Sequence, residues 1–171
     1  MVRPLGLPFD PIERAGEKWE THFGPSSAMR AATSVFRVQQ ILLARFDGVL
    51  RPLELTFARY EVLVLLTFSR SGELPLKVIG SRLMVHPTSV TNAIDRLAAA
   101  GYVDRRPNPA DGRGVLAAIT ERGRAVVDEG TRALTAIDFG LADLAEDEQE
   151  ALFTTLRRVR LGAGDVAGDS P

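Results

Sequence analysis

Residues 75–119 have the sequence PLKVIGSRLMVHPTSVTNAIDRLAAAGYVDRRPNPADGRGVLAAI, and this stretch decides the fold. Pro75 opens a short helix, residues 84–86 form a turn, and Pro87 starts a second helix that ends before Gly101. In both segments apolar residues recur at helical spacing, so each helix has one side for a core. Two short helices joined by a three-residue turn are typical of the helix-turn-helix motif.

A β-hairpin is predicted immediately after the second of these helices. Residues 102–106 and 115–119 have the composition of short strands, and residues 107–114 form a polar loop that contains Asp111-Gly112. The hairpin would be a wing beside the two helices. We therefore expect a winged helix-turn-helix.

Further helices are predicted on the N-terminal side of the motif. Asp10 caps a helix that stops at Gly24, and Ser26 or Ser27 caps the next one, which runs to about Leu50. Apolar residues cover well over half the girth of this second helix: Val35, Val38, Leu42 and Val49 on one side, with Phe36, Leu43, Phe46 and Leu50 beside them. Because such a helix needs burial on more than one side, we expect a dimer partner as well as a core.

Helices also lead into the motif and follow it. Thr56 caps a helix that closes at residues 71–72, Thr120 caps a long helix to about Phe139, and a last helix covers residues 146–160. The fold class is therefore mainly α with a small β-hairpin wing. The residues expected to face inward in the helix after Thr56 and in the last helix are Phe57, Tyr60, Leu63, Val64, Phe68, Leu152, Leu156 and Val159.

Composition excludes several kinds of function. Cysteine is absent and there are only two histidines, so disulfides, thiolate or imidazole-rich metal sites and cysteine nucleophiles are not expected. No stretch approaches the ~20 apolar residues of a membrane span, and the first residues lack the apolar core of a signal peptide. We expect a cytoplasmic protein without a cofactor or metal. We also expect no enzyme, because no nucleophile–base pair or phosphate-binding glycine loop occurs.

Charge is distributed unevenly along the chain. Residues 77–124 contain eight basic and four acidic side chains, whereas residues 125–171 contain four basic and ten acidic ones. One basic surface could therefore bind a polyanion although the net charge of the chain is -1.

The helix that starts at Pro87 has an outward face suited to the major groove of DNA. Its inward stripe is Val90, Ile94 and Leu97. Small hydroxyls on the other face allow close approach of the backbone, an Asn amide can pair with adenine, and Arg can bind guanine or phosphate. The alternative is that these are ordinary capping and solvent-exposed residues. The candidate contacts are His86, Pro87, Thr88, Ser89, Asn92 and Arg96.

The wing supplies candidates for the minor groove. A narrow minor groove concentrates negative potential, so an arginine at a hairpin tip is favoured there. Arg113 is the best candidate; its alternative is a surface arginine paired with Asp111. The wing candidates are Arg105, Arg106, Asp111 and Arg113, and we interpret Asp95 and Asp104 as carboxylates that orient nearby arginines.

The runs LTFARYEVLVLL and LPLKVIGSRLMVHPTSVTNAIDRLAAAGYVDRRPNPADGRGVLAAITERGRAVV resemble the MarR family of transcriptional regulators. The likeness covers residues 28–161 and includes the DGR wing tip and the Thr-x-x-Gly start of the long helix. It implies a homodimer, built from the first and last helices, that binds a pseudo-palindromic operator. It also implies repression released by a small organic effector. The expected units are residues 1–25 (tail and extra helix), 26–55 (dimerisation helix), 56–119 (DNA-binding lobe), 120–161 (C-terminal dimerisation helices) and 162–171 (disordered tail).

The resemblance places the effector between the dimer helices and the DNA-reading lobe, with Trp19, Arg37, Phe57, Tyr60 and Glu61 as candidate residues. Trp19 resembles the pocket Trp of the urate-type branch. That branch's aspartate is replaced here by Glu61, however, and its two arginines by Phe68 and Ala93, so urate is not expected. The alternative role of Trp19 is to pack the extra helix in the dimer interface.

Two other functions stay open at this point. A winged helix can serve protein contacts alone, which a covered Thr88–Asn92 face would favour. An enclosed ligand beside paired buried carboxylates would instead favour an enzyme.

Overall fold

The computed structural model describes residues 6–166, except for the exposure of Gly112 and the side chain of Arg113. It confirms a mainly helical fold with a small antiparallel sheet. The helices are α1 (Pro11–Phe23), α2 (Ser27–Leu50), α3 (Phe57–Thr67), α4 (Leu76–Leu83), α5 (Pro87–Ala99), α6 (Glu121–Thr135) and α7 (Glu146–Gly162), and the strands are β1 (Glu73–Pro75), β2 (Val103–Asn108) and β3 (Asp111–Ile119).

The sheet has the order β1-β3-β2, so β3 pairs with both neighbours. The sequence did not predict β1, whose three residues carry too short a pattern to recognise without the neighbouring strand. The predicted wing loop over 107–114 is also wrong, because the strands continue to Asn108 and from Asp111. Pro107 is compatible with a strand here because β2 is at an edge, where a missing N–H costs little.

The turn between α4 and α5 is tight because Gly80 has no side chain. The Val85 N–H donates to the Gly80 carbonyl at 2.9 Å, and a Cβ on Gly80 would lie 3.1 Å from the Val85 carbonyl oxygen. Met84 ends α4 in the left-handed conformation, at a φ of 52°. The predicted helix-turn-helix is therefore present.

The Thr-x-x-Gly start of α6 joins that helix to the wing. The Thr120 hydroxyl accepts from the Gly123 N–H at 3.0 Å and donates to the Gly101 carbonyl at 2.8 Å. A Cβ on Gly123 would lie only 2.2 Å from the Tyr102 carbonyl oxygen. Any larger residue at position 123 would push α6 away from the start of β2.

A continuous apolar core lies between α3, α5, the sheet and the inner sides of α2 and α6. Leu63, Ile79, Ile94 and Ala117 are fully buried within it. The helix-turn-helix and wing therefore share one core with the inner sides of α2 and α6.

The outer helices differ from the sequence-based expectation. Phe68 is 82% exposed because α3 ends at Thr67 and not at residues 71–72. Leu152 and Val159, expected to face inward, are exposed, and α7 buries no residue within this single chain. α6 ends at Thr135 rather than near Phe139.

The termini of the chain follow the predicted boundaries in part. Asp10 caps α1 by accepting from the Ile12 and Glu13 N–H groups. The tail was expected to be disordered from residue 162, but α7 includes Gly162 and the N–H groups of residues 163–165 still donate to carbonyls of α7. Residues 1–5 and 167–171, which include the rest of this predicted tail, lie outside the described part. No helix between residues 6 and 166 has both the length and the apolarity needed to cross a bilayer.

Candidate nucleic-acid interface

Helix α5 has two chemically distinct sides. Val90, Ile94 and Leu97 are buried in the core, as the sequence predicted. The other side carries His86, Pro87, Thr88, Ser89, Asn92 and Arg96, all of which are exposed. No part of the described chain, including α1, covers this polar face.

The start of α5 is held in place by its own side chains. His86 is the N-cap residue, and its Nδ1 accepts from the Thr88 N–H at 3.3 Å. Thr91 bonds back to the Pro87 carbonyl at 3.1 Å. The N-terminus of an α-helix carries partial positive charge and N–H donors, and it therefore attracts phosphate.

The two arginines at the base of the wing are paired with carboxylates. Arg105 pairs with Asp95 of α5, and Arg106 lies 3.5 Å from a Glu73 oxygen and 3.6 Å from an Asp104 oxygen. Asp95 and Asp104 therefore orient arginines as interpreted from the sequence. Because all of these groups are partly exposed, each pair is worth only about 0–1 kcal/mol, and a phosphate can compete for the guanidinium.

Glu73 is a carboxylate beside the wing arginines that the sequence analysis missed. It lies on β1, and both Glu73 and Asp104 are in register with Ala118 on the central strand β3. The small side chain between them lets Arg106 approach both carboxylates from its own strand. No local signal marked Glu73, since its neighbours in space come from strands about thirty and forty-five residues later.

The wing tip turns at Pro109 and Ala110, where the Asn108 side chain accepts from the Ala110 N–H at 3.1 Å. Asp111 is exposed beside this turn. The side chain of Arg113 lies outside the described part, so its role in the minor groove stays a prediction.

The five residues suggested for an effector pocket lie in different surroundings. Phe57 and Tyr60 are ring neighbours on α3, and the half-buried Glu61 follows them. Burial raises the pKa of the Glu61 carboxyl above its usual value. Trp19 packs on Phe23 of its own helix, with ring centroids 4.9 Å apart, and is 39% exposed.

Arg37 lines an open cleft of about 620 Å³ between residues 6–12 and α2. The walls of this cleft include Phe9, Ser34, Val38 and Ile41 but none of the other four pocket candidates. A second cleft of about 420 Å³ lies between residues 52–54, Tyr102 and α6 and contains none of the five. Neither of these two clefts brings the five candidates together, and the effector pocket stays a prediction.

Comparison with known proteins identifies the class. The defining sequence pattern of the MarR family matches residues 57–115, which cover α3, the helix-turn-helix and most of the wing. Together with a 57% identical MarR family regulator of known structure, 96% of which is covered by the alignment, this match shows that the chain belongs to the MarR family. The members found by these comparisons are transcriptional regulators and not enzymes.

Individual relatives agree with this assignment. Sco5413, a MarR family transcriptional regulator from Streptomyces coelicolor, is 57% identical with a TM-score of 0.76, and the match covers 81% of this chain and 96% of that one. A cysteine-to-serine variant of Escherichia coli MarR complexed with operator DNA is 26% identical, with a TM-score of 0.69 over 78% of this chain and 94% of that one.

A curated relative matches over a shorter stretch. The HTH-type transcriptional regulator MT0903.1 of Mycobacterium tuberculosis is 35% identical over 89 residues, which are 52% of this chain and 59% of the relative. The chain therefore spans a little over half the length of this relative.

Proposed function

We propose that this chain is a cytoplasmic transcriptional regulator that binds double-stranded DNA as a homodimer and represses transcription from a pseudo-palindromic operator. The observation that carries the proposal is the exposed polar face of α5, which lies opposite the buried stripe of Val90, Ile94 and Leu97. This arrangement presents Thr88, Ser89, Asn92 and Arg96 to a major groove while the core holds the helix rigidly. The operator complex of the related MarR supports the same use of the fold.

The exposed apolar faces of the outer helices support the homodimer. Phe23 of α1 is 74% exposed, Phe36 of α2 is 67% exposed and Val159 of α7 is 67% exposed. Monomeric proteins rarely leave large apolar side chains exposed in such number, and a second copy would bury them. Two copies would also supply two α5 helices, as the two halves of a palindrome require.

The effector is proposed to be a small organic molecule that binds where the dimerisation helices meet the DNA-binding lobe. The rings of Phe57 and Tyr60 pack against each other at this boundary, and Phe57 also packs on Phe46 of α2. A ligand there would favour one orientation of the lobe over another and so change the affinity for DNA.

A fluorescence anisotropy titration with DNA from directly upstream of the chain's own gene tests the proposal. Because each phosphate contact releases counterions, log K should fall with log salt by about 0.9 per contact. A duplex of equal length and scrambled sequence is the control and should bind more weakly. Absence of binding, or binding independent of salt, would contradict DNA recognition by this face.

A further inference from the structure

The junction between α2 and α3 is held by a hydrogen bond that the sequence did not reveal. Asp47 lies in the last turn of α2, and its Oδ1 accepts from the N–H of Phe57, the first residue of α3, at 2.7 Å. The two residues are ten positions apart and belong to different helices. One carboxylate therefore connects the end of one helix to the start of the next.

Thr56 was expected to cap α3, but its side chain is used otherwise. Thr56 is the N-cap residue by position, yet its hydroxyl makes no capping bond and instead accepts from Arg59 Nε at 3.2 Å. The first N–H groups of a helix need acceptors, and a negative charge at that end is favourable. Asp47 meets both needs from outside the helix.

A second directional contact joins α3 to α6. The Thr131 hydroxyl donates to the Val127 carbonyl at 2.8 Å, so it accepts from the Tyr60 hydroxyl, 2.7 Å away. Tyr60 is only 6% exposed, and a Cβ on Gly130 would lie 3.2 Å from its ring. The absence of a side chain at Gly130 lets α6 approach this ring closely.

These two hydrogen bonds join the part of the molecule that would dimerise to the part that would read DNA. α2 carries the exposed apolar residues, whereas α3 begins the lobe that contains α5. Apolar contacts at the junction, such as Phe46 with Phe57 at 4.6 Å between ring centroids, tolerate small sliding and rotation. Hydrogen bonds are directional and fix an angle.

We propose that Asp47, together with the Tyr60–Thr131 hydrogen bond, is a positioning device that sets the separation of operator half-sites the dimer accepts. This inference rests on the proposed DNA-binding function. Half-sites lie about 34 Å apart on one face of the duplex, and one base pair contributes about 3.4 Å. A rotation of the lobe that moves α5 by a few ångströms therefore changes the preferred spacing by about one base pair.

The test uses the full-length chain and three operators that differ only at the centre: the native spacing, one inserted base pair and one deleted base pair. Wild type should prefer the native spacing. Asp47→Ala should bind that operator but lose discrimination between spacings by roughly fivefold, the scale of one lost helix cap. Asp47→Asn should retain most of the discrimination, since its amide oxygen can accept the same hydrogen bond.

Asp10→Ala is the matched control. Asp10 also caps a helix with its carboxylate, at 2.7 Å from the Ile12 nitrogen, but it does so on α1 rather than at the junction. Loss of this cap should lower the melting temperature of the protein without changing the spacing preference. The comparison separates positioning from general stability.

Two results separate failure of the inference from failure of the proposed function. If Asp47→Ala binds the native operator and discriminates spacings like wild type, the positioning role is overturned and DNA recognition stands. If wild type binds none of the three duplexes, the proposed function fails instead. If Asp47→Ala does not fold, Tyr60→Phe tests the inference instead. This variant removes the hydrogen bond to Thr131 and leaves Thr131 bonded to the Val127 carbonyl. It must reduce the discrimination between operator spacings if the two hydrogen bonds position the lobe.

Discussion

The DNA-binding lobe (residues 56–119) and the outer helices (α1, α2 and α7) differ in how far they bury their apolar side chains. In the lobe, Ile79 on α4 and Ile94 on α5 are fully buried within a single chain. On the outer helices, Phe36 and Val159 are each 67% exposed although their helices are long and regular. The lobe is therefore complete within one chain, whereas α1, α2 and α7 have apolar faces that only a further surface can bury.

This difference shows at which positions a substitution can alter DNA recognition without destabilising the fold. The outward residues of α5 contribute little to the core, because Val90, Ile94 and Leu97 already hold the helix. They can be chosen for a DNA sequence alone. The exposed apolar residues of α2 and α7 would hold the proposed dimer together, so recognition and association would be separated in the molecule.

The largest effect is expected from Ile94→Ala in the lobe. Removing a fully buried isoleucine side chain should lower the free energy of unfolding by about 2–5 kcal/mol, because the cavity cannot collapse completely. Denaturant unfolding measures this change. Asn92→Ala, two residues away on the exposed side, is the control and should stay within about 0.5 kcal/mol of wild type. Equal losses for both variants would contradict the two-sided description of α5.

The next effect is expected from Phe36→Glu on α2. If this exposed ring is buried by a second copy, a charge there should weaken association by more than about 2 kcal/mol and shift the protein towards monomers. Sedimentation analysis measures the shift. Phe68→Glu is a matched control, because Phe68 is 82% exposed but lies at the end of α3. If both variants dimerise like wild type, α2 is not in the interface.

The lobe could be predicted well from the sequence because its signals are local. Pro87 at the helix start, Gly101 after its end and the apolar spacing between them all lie within one element. The helix bounds of α5 and the exposure of its candidate DNA contacts follow from that pattern. The ion pairs of Asp95 with Arg105 and of Asp104 with Arg106 could also be predicted, since each pair joins residues that are close in the sequence.

The remaining features depend on partners that are distant in the sequence. β1 exists because β3 pairs with it some forty residues later, so Glu73 carried no strand signal of its own. Thr56 occupies the N-cap position of α3 as predicted, but the side-chain cap comes from Asp47 on the previous helix, which no local pattern around Thr56 indicates. Leu152 was expected inside because its spacing is helical, but amphipathic spacing does not say which surface covers the apolar face.

A smaller effect is expected from Asn92→Ala on DNA binding. An amide that contacts a base edge should contribute about 1–3 kcal/mol at its own base pair and little elsewhere. Titrations against operators mutated one base pair at a time should show relaxed specificity at that position. Loss spread evenly over all sequences would indicate a phosphate contact instead. Because the same variant should unfold like wild type, this result would separate recognition from stability on a single helix.

The smallest effect is expected from Glu61→Gln, at the boundary between the two regions. Burial raises the pKa of this carboxyl in the folded chain above its usual value of 4.5. Above the folded pKa the carboxylate is charged in both states, and its partial desolvation lowers the free energy of unfolding. As the pH falls through the folded pKa the folded chain takes up the proton first, and the cost disappears below the unfolded value. Glu61→Gln should therefore be more stable than wild type at neutral pH, with a difference that vanishes in acid. Denaturant unfolding at several pH values measures this difference in the free energy of unfolding. A difference that does not change with pH would show that Glu61 is not held as a desolvated carboxylate where the lobe meets the dimerisation helices.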